Sequence, residues 1–206
     1  MHPSSYKNME VFAEKYLEGL RDRNLKIIDI GSRDVNGTYK PIFQNPNWTY
    51  TGADIVNGQN VDLVVKSMYN WWNIKSCLYD VVISGQTFEH IEYFWFTIME
   101  IARILKAGGL CCIVAPSGGE EHRYPVDCWR FYPDGFKSLA NYAGLQLIDV
   151  YTQWTYNQYA DFDPMWKDTV LICKKSSLAF TDQVKFYIKN KLSVFMATWL
   201  DMKIYA

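Results

Sequence analysis

The sequence predicts an α/β fold: a three-layer sandwich in which helices cover both faces of a seven-stranded, mostly parallel sheet with an antiparallel edge strand. Two observations support this prediction. Short apolar runs alternate with patterns of helical periodicity along the chain, which is typical of parallel strands joined by crossover helices. The first of these runs, residues 26–30, contains three isoleucines, Ile27, Ile28 and Ile30, which suit a strand that is buried on both faces.

The predicted strands are residues 26–30, 49–54, 61–65, 79–84, 109–115, 145–151 and 169–174. Helical spacing of apolar residues predicts an N-terminal helix over 6–23 and further helices over 92–105 and 133–142, which end near Gly108 and Gly144. The last two strands are expected to form an antiparallel, hairpin-like edge, joined by an aromatic and acidic loop over 152–167.

Length and composition predict one well-buried domain. The chain has 206 residues, of which 49% are hydrophobic and 17% aromatic. Its 21 basic and 22 acidic residues leave a formal net charge of -1, so we expect no nucleic-acid partner.

The N-terminus lacks the basic opening and apolar core of a signal peptide, and no stretch approaches the ~20 apolar residues of a membrane span. These observations predict a cytoplasmic protein without a transmembrane segment.

The five cysteines are predicted to be reduced thiols. They form no CxxC pair and have no histidine at the spacing of a metal finger. Cys111, Cys112 and Cys173 lie in predicted strands, where cysteine behaves as a small hydrophobic residue. Cys128 differs because it lies in a polar, aromatic loop, where it could line a pocket.

The stretch 26–38, KIIDIGSRDVNGT, indicates a site for a nucleotide-like ligand. An apolar strand ends at Gly31 and continues as a polar turn with a second glycine, Gly37. Glycine permits close approach of a ligand to the backbone. Asp54 ends the next predicted strand, about twenty residues after the loop, where nucleotide-binding α/β units place an acid for a ribose.

Four stretches give the chain a resemblance to a known family. They are IIDIGSRDVNG, GADI, YDVVISGQTFEHI and EIARILKAGGLCCIVAPS, and together they span most of residues 26–174. The chain resembles the small, single-domain class I S-adenosylmethionine-dependent methyltransferases, whose fold is Rossmann-like. A dinucleotide-dependent oxidoreductase shares only the first two stretches and is the weaker alternative. The glycine loop departs from the usual GxGxG pattern, because Ser32 takes one small position and residues 34–36 lengthen the turn.

The resemblance implies that S-adenosylmethionine is the cofactor and S-adenosylhomocysteine the product. It places the methionine portion of the cofactor near Asp29, Gly31, Ser32 and Gly37, the ribose at Asp54 and Ile55, the adenine near Ser67 and Met68, and the sulfonium near Ser84, Gly85 and Gln86. Asp54 suits the ribose because an ionised carboxylate only accepts hydrogen bonds and can receive both hydroxyls.

The loop over 116–136 is interpreted as the acceptor site, since long loops in compact domains are usually functional. His122 is the candidate general base, because neutral imidazole can accept a proton near pH 7, and Asp127 would orient it or act itself. His90 is the rival base. The residues expected to contact the acceptor are Arg123, Tyr124, Trp129 and Arg130. The two arginines favour an anionic or hydroxyl-rich acceptor, unless they form surface salt bridges, and the aromatic residues could instead pack the loop onto the sheet.

Metal dependence is not predicted, because Asp127 with Asp161 or Asp163 is too loose a cluster of carboxylates to indicate a metal site. The predicted domain division is a methyltransferase domain over 1–175 and a C-terminal amphipathic helical extension over 176–206. The extension is expected to pack on its own domain, to form a homodimer or to lie on a membrane surface.

The function predicted from these observations is methyl transfer to a small-molecule or glycan acceptor, with oxygen favoured as the methylated atom and nitrogen left open. The alternative is a non-catalytic S-adenosylmethionine-binding regulatory or scaffold module, in which the loop around His122 forms a protein interface.

Overall fold

A computed structural model describes residues 2–154, 165–177 and 180–204, with the side chains of 180–183 and 200–204 left out of the description. Its centre is a seven-stranded sheet with the spatial order β3-β2-β1-β4-β5-β7-β6. The strands are β1 (Leu25–Ile30), β2 (Trp48–Asp54), β3 (Leu63–Val64), β4 (Tyr79–Gly85), β5 (Leu105–Pro116), β6 (Gln146–Thr152) and β7 (Asp168–Lys174). The seven-stranded, mostly parallel sheet predicted from the sequence is confirmed.

The antiparallel strand of this sheet is β7, which lies one place in from the edge, between β5 and β6. The edge strand itself is β6. Burial explains the order: six of the seven residues of β7 are buried, whereas every residue of β6 is half-buried or exposed. The more apolar strand therefore takes the interior position, where both of its edges are hydrogen bonded. Most of the predicted loop between β6 and β7 lies outside the described residues.

The helices are α1 (Pro3–Leu17), α2 (Phe94–Ile104), α3 (Pro133–Tyr142) and α4 (Phe180–Ile204). The predicted bounds of α3 are confirmed. The N-terminal helix begins and ends earlier than predicted, and a short 3-10 helix (Glu18–Leu20) follows it. The predicted helix over 92–105 is shorter than expected because β5 already begins at Leu105, where its backbone pairs with Tyr79 of β4.

Two apolar clusters cover the two faces of the sheet, which confirms the three-layer arrangement. One packs α1 and the 3-10 helix Lys40–Phe43 against the sheet, with Phe12, Leu17 and Phe43 at its centre. The other, larger cluster packs α2 and α3 on the opposite face. Cys111, Cys112 and Cys173 are buried in these layers as predicted, whereas Cys128 is exposed, and all five thiols are free.

Helix α4 packs on α2 through small and polar side chains rather than large apolar ones. Asn190, Ser193 and Ala197 are buried, and the Asn190 amide lies 3.4 Å from Oε1 of Glu100 on α2. Phe186 packs against the core, whereas Tyr187, Ile188, Leu192, Phe195 and Met196 point outward and form what we call the exposed face of α4. Within the described ranges, no helix combines the length and apolar character needed to cross a membrane.

Candidate active site

The carboxyl ends of four neighbouring parallel strands bring the predicted cofactor residues to one edge of the sheet. In the register of the sheet, Ile30 lies beside Ala53, and Asp29 lies beside Ile83. The loops that follow β1, β2 and β4 therefore emerge side by side. Open α/β sheets bind their ligands in the crevice at this edge.

Gly31 begins the loop after β1 and tolerates no side chain. Its φ is +79°, and a Cβ there would lie 2.2 Å from the Thr87 hydroxyl. Its N–H donates to the Ala53 carbonyl at 2.8 Å. The Ser32 hydroxyl is turned away from the loop and donates to the Asn60 carbonyl at 2.9 Å. Gly37 closes the turn by donating its N–H to Asp34 at 2.8 Å.

Asn60 holds this loop in place, a role that the sequence did not reveal. Its Nδ2 donates to the Ser32 carbonyl at 2.9 Å and to the Thr38 hydroxyl at 2.8 Å. It adopts a φ of +64°, which asparagine tolerates better than most residues. Its position in the polar run NGQN is the signal that could have indicated a loop anchor.

The Asp29 carboxyl group lies beneath the glycine loop, and its two oxygens differ in their hydrogen bonding. The Tyr50 hydroxyl donates to Oδ2 at 2.6 Å, whereas Oδ1 is buried without a hydrogen-bond partner among the described residues. Burial raises the pKa of this carboxyl to about 7, and the nearby Asp54 charge adds to the shift while the Tyr50 bond opposes it. An unpartnered buried oxygen of this kind is suited to a cationic donor such as the amino group of S-adenosylmethionine.

The Asp54 carboxylate is half-buried at the end of β2 and is oriented by backbone donors. Oδ2 accepts the Arg33 N–H at 3.2 Å and Oδ1 accepts the Val56 N–H at 3.0 Å. Each carboxylate oxygen has a second lone pair, so both remain able to accept a ribose hydroxyl. The neighbouring Ile55 is exposed. This arrangement fits the role that the sequence implied.

The remaining predicted cofactor residues on these loops each contact another part of the protein. Ser67 accepts the Tyr69 N–H at 3.0 Å, and Met68 packs against the core. The Ser84 hydroxyl is buried and donates to the Ile30 carbonyl at 2.8 Å, so it joins β4 to β1. A Cβ at Gly85 would lie 1.9 Å from the hydroxyl of Tyr39, so only glycine fits there.

Gln86 connects the end of β4 to the start of β7. Its Nε2 donates to Asp168 Oδ1 at 2.9 Å, while its buried Oε1 has no hydrogen-bond partner among the described residues. Asp168 is itself buried at the start of β7. Asp168 could not be recognised from the sequence, because its place beside Gln86 depends on β7 pairing with β5.

His122 and Asp127, the candidate base and its candidate partner, come together in the loop after β5. Asp127 Oδ2 accepts the backbone N–H of His122 at 2.8 Å and lies 3.2 Å from His122 Nδ1, which is hydrogen bonded to the Glu120 carbonyl at 3.4 Å. The Arg130 guanidinium donates two hydrogen bonds to the same carboxylate, of 2.6 and 2.8 Å. These bonds hold the pKa of Asp127 well below its usual range, with the backbone bond from His122 contributing. Asp127 is therefore an ionised, fixed partner for His122.

The four residues expected to contact the acceptor divide into two pairs. Arg130 is committed to Asp127, and the Trp129 indole donates to the carbonyls of Ile91 and Glu92 at 3.1 and 3.2 Å. These two side chains hold the loop on the protein. Arg123 and Tyr124 are exposed, and Arg123 forms a surface ion pair with Glu121 at 2.7 Å.

Glu89 and His90, in the FEHI segment after β4, lie directly against this loop. The Glu89 carbonyl accepts the N–H groups of Cys128 and Trp129 at 2.7 and 3.2 Å. The Glu89 side chain is fully buried, and burial raises its pKa to about 8. Burial also lowers the pKa of His90, whose ring lies 5.0 Å from the ring of His122. His90 and His122, the two candidate general bases, therefore lie side by side in one site.

Comparison with known proteins gives one match to a family model. Residues 36–113 match the family model described as a methyltransferase domain. No protein with a curated description matches the chain.

Similar solved structures share the fold at low sequence identity. The CurJ carbon methyltransferase has a TM-score of 0.63 and 16% identity, with 84% of this chain and 54% of that chain covered, so this chain spans only about half of it. A methyltransferase from Burkholderia thailandensis, solved with 1,6-didemethyltoxoflavin and S-adenosylhomocysteine bound, has a TM-score of 0.61 and 14% identity over 84% of this chain and 85% of that chain. A methyltransferase from Archaeoglobus fulgidus has a TM-score of 0.57 and 14% identity, covering 83% and 95%.

The fold, the strand-end crevice and the matched domain define a class I S-adenosylmethionine-dependent methyltransferase. More narrowly, residues 36–113, which run from the loop after β1 into β5, match the methyltransferase domain of that model. S-adenosylmethionine is accordingly the cofactor, and the glycine loop, the unpartnered oxygen of Asp29 and the oriented carboxylate of Asp54 fit it.

Proposed function

We propose that the protein transfers the methyl group of S-adenosylmethionine to a hydroxyl of a small or carbohydrate-like acceptor, with His122 as the general base. The observation that supports this most directly is the His122–Asp127 pair, which lies on the acceptor side of the strand-end crevice. His122 Nδ1 lies 3.2 Å from Asp127 Oδ2 and is hydrogen bonded to the Glu120 carbonyl at 3.4 Å, so the ring would carry its proton on Nδ1 and keep the lone pair of Nε2 for a second proton.

Methyl transfer from a sulfonium is a direct displacement. The protein must align the acceptor oxygen, the methyl carbon and the sulfur, and it must keep water from competing. A hydroxyl acceptor also loses a proton. In our proposal Nε2 of His122 takes that proton, and the ionised Asp127 stabilises the imidazolium that results. Arg130 supports both residues indirectly, because it holds the Asp127 carboxylate in place.

A sugar-like acceptor is supported by an aromatic surface beside the loop. The rings of Tyr132 and Trp154 stack at 6.0 Å with an interplanar angle of 16°, and both are about half exposed. Exposed aromatic faces with polar tips suit the apolar face of a sugar ring. Arg123 lies on the same loop with its guanidinium at the surface, where it could reach a phosphate or carboxylate of the acceptor.

Replacing His122 tests this function. We expect His122→Ala and His122→Gln to lower turnover by about 100- to 10000-fold, the usual range for a general base, while S-adenosylmethionine still binds. Turnover is measured as S-adenosylhomocysteine release with a panel of monosaccharides, sugar phosphates and nucleotide sugars, and cofactor binding by calorimetry. Unchanged turnover in both variants would contradict the base assignment.

The non-catalytic alternative predicts a different result in the same experiment. The wild-type protein would bind S-adenosylmethionine but methylate nothing in the panel, and His122→Ala would disturb binding to a protein partner instead. The domain division after residue 175 and a cytoplasmic location stay predictions beside this proposal.

We further propose a homodimer through the exposed face of α4. Large contiguous apolar patches are uncommon on monomers. Ile188, Leu192 and Phe195 follow the four-then-three spacing by which helices pair along a seam, and the same helix of a second copy offers a matching seam.

Light scattering during gel filtration checks the dimer. We expect the wild-type chain at twice its 24.1 kDa and the double variant Leu192→Glu/Phe195→Glu at the mass of one chain. The control is Ile148→Glu, which alters an exposed apolar residue on edge strand β6 and should leave the dimer intact. A monomeric wild-type protein would refute this interface.

A further inference from the structure

Three side chains able to bind a metal converge beneath the acceptor loop. Glu89, His90 and His122 each offer one ligand atom, and these atoms lie within 4.8 Å of one another. Glu89 and His90 come from the segment after β4, whereas His122 comes from the loop after β5. The two segments are held together by backbone hydrogen bonds from Cys128 and Trp129 to the Glu89 carbonyl.

The Glu89 carboxyl group is an independent indication that something is bound here. It is fully buried, and neither of its oxygens has a hydrogen-bond partner among the described residues. Buried polar groups are nearly always paired, because an unpaired one loses its hydration without compensation. His90 Nε2 is 3.7 Å from Glu89 Oε1, too far for a hydrogen bond. Two ligands of one tetrahedral zinc-type ion are separated by about 3.4 Å, so the spacing suits a shared ion.

Both histidines are held in the tautomer that leaves Nε2 free to bind a metal. His90 Nδ1 lies 2.6 Å from the Val126 carbonyl, and His122 Nδ1 is hydrogen bonded to the Glu120 carbonyl at 3.4 Å, with Asp127 Oδ2 3.2 Å away. An oxygen acceptor beside Nδ1 places the proton on that nitrogen and leaves the lone pair on Nε2. Metal-binding histidines characteristically donate their second ring N–H to a carbonyl or carboxylate in this way.

We propose that Glu89, His90 and His122 bind a divalent transition-metal ion at the acceptor side of the crevice. Two imidazoles and one carboxylate favour ions such as Zn²⁺, Co²⁺ or Mn²⁺ over Ca²⁺, which prefers an all-oxygen site. Three protein ligands leave at least one coordination position open. The His122 side chain is about one third exposed, so the open position has access to the acceptor.

The ion would change how the acceptor is activated, a step that rests on the proposed methyl transfer. The acceptor hydroxyl would occupy the open position, where the positive charge lowers its pKa and its proton leaves to solvent. The oxygen then forms its bond to the methyl carbon as the carbon–sulfur bond breaks, and the electron pair remains on sulfur. His122 Nε2 would serve as a ligand rather than as the base when the ion is present.

Titration of chelator-treated full-length protein with Co²⁺, followed by visible absorption and by calorimetry, tests the site without cofactor or acceptor. We expect stoichiometric binding that Zn²⁺ displaces. Glu89→Gln and His90→Ala should weaken it at least 100-fold, and Asp127→Asn about 10- to 100-fold, since that residue only orients His122. The matched control is Glu92→Gln, the same substitution at an exposed residue, which should bind like the wild type.

Calorimetric binding of S-adenosylmethionine by each variant shows that it is folded. No Co²⁺ binding by the wild type, or binding that Glu89→Gln and His90→Ala leave unchanged, would overturn the metal site. Methylation by such a metal-free protein would leave the proposed function standing. Specific Co²⁺ binding by a protein that methylates no acceptor would support the site and count against the function.

Discussion

Asp54→Asn is expected to weaken S-adenosylmethionine binding by about 2 to 4 kcal/mol, or roughly 30- to 1000-fold in Kd. The carboxylate is oriented by the N–H groups of Arg33 and Val56 and is placed to accept two ribose hydroxyls. Hydrogen bonds to an ionised acceptor are stronger than neutral ones, and an amide oxygen that keeps its backbone donor has one lone pair left for a hydroxyl, while the amide NH2 group accepts none. Calorimetry with S-adenosylmethionine and S-adenosylhomocysteine measures the change.

The control for this variant is Asp80→Asn, at the opposite end of the sheet. Asp80 accepts hydrogen bonds from Lys26 and Lys106 near the start of β4, far from the carboxyl ends of the strands. We expect it to bind the cofactor like the wild type. Equal Kd values for wild type, Asp54→Asn and Asp80→Asn would show that the ribose is bound elsewhere.

Asp29 is expected to make the stability of the cofactor-free protein depend on pH between about 4 and 7. Its folded pKa of about 7 lies above the ordinary value of 3.8, mainly because the group is buried. Below pH 4 the carboxyl is protonated in both states. As the pH rises to 7, the unfolded chain loses this proton while the folded protein keeps it, so the free energy of unfolding falls. Three pKa units correspond to about 4 kcal/mol.

Urea denaturation of wild type and Asp29→Asn at several pH values measures this loss. The variant can still accept the Tyr50 hydroxyl through its amide oxygen, but it cannot ionise, so its stability should lack the fall attributed to Asp29. Asp80→Asn should keep the wild-type dependence. A cofactor whose amino group reaches the free oxygen of Asp29 should favour the carboxylate and reduce the slope. Parallel curves for wild type and Asp29→Asn would contradict the raised pKa.

Much of the fold could be predicted because its signals are local and repeated. The apolar runs, the helical spacing and the glycines after α2 and α3 set the order of elements, and the glycine loop with Asp54 indicated the cofactor edge. The antiparallel partner of β5 could not be foreseen, because strand order depends on which strand loses more water at an interior position. Strand β7 loses more water there than β6 would, since six of its seven residues are buried.

The candidate site was only partly predictable for a similar reason. The loop that carries His122 and Asp127 was evident from its composition, and the two residues do meet. The sequence did not reveal that Arg130 would bind Asp127, that Asn60 would anchor the glycine loop, or that the buried Glu89 carboxyl would lack a hydrogen-bond partner among the described residues. Each of these depends on contacts between segments that are far apart in the chain.

By itself, the sequence determined the class of protein: strand and helix periodicity, a glycine turn and an acid at a strand end are properties of short segments. Only the tertiary structure decided which side chains face one another. Helix α4 shows the physical reason, because its apolar periodicity defines a stripe but not the side of the helix that packs on α2. Small residues allow the closer approach to that neighbour, so Ala197 and Ser193 face inward and Phe195 outward. The same dependence on packing brought His122 to Glu89 and His90.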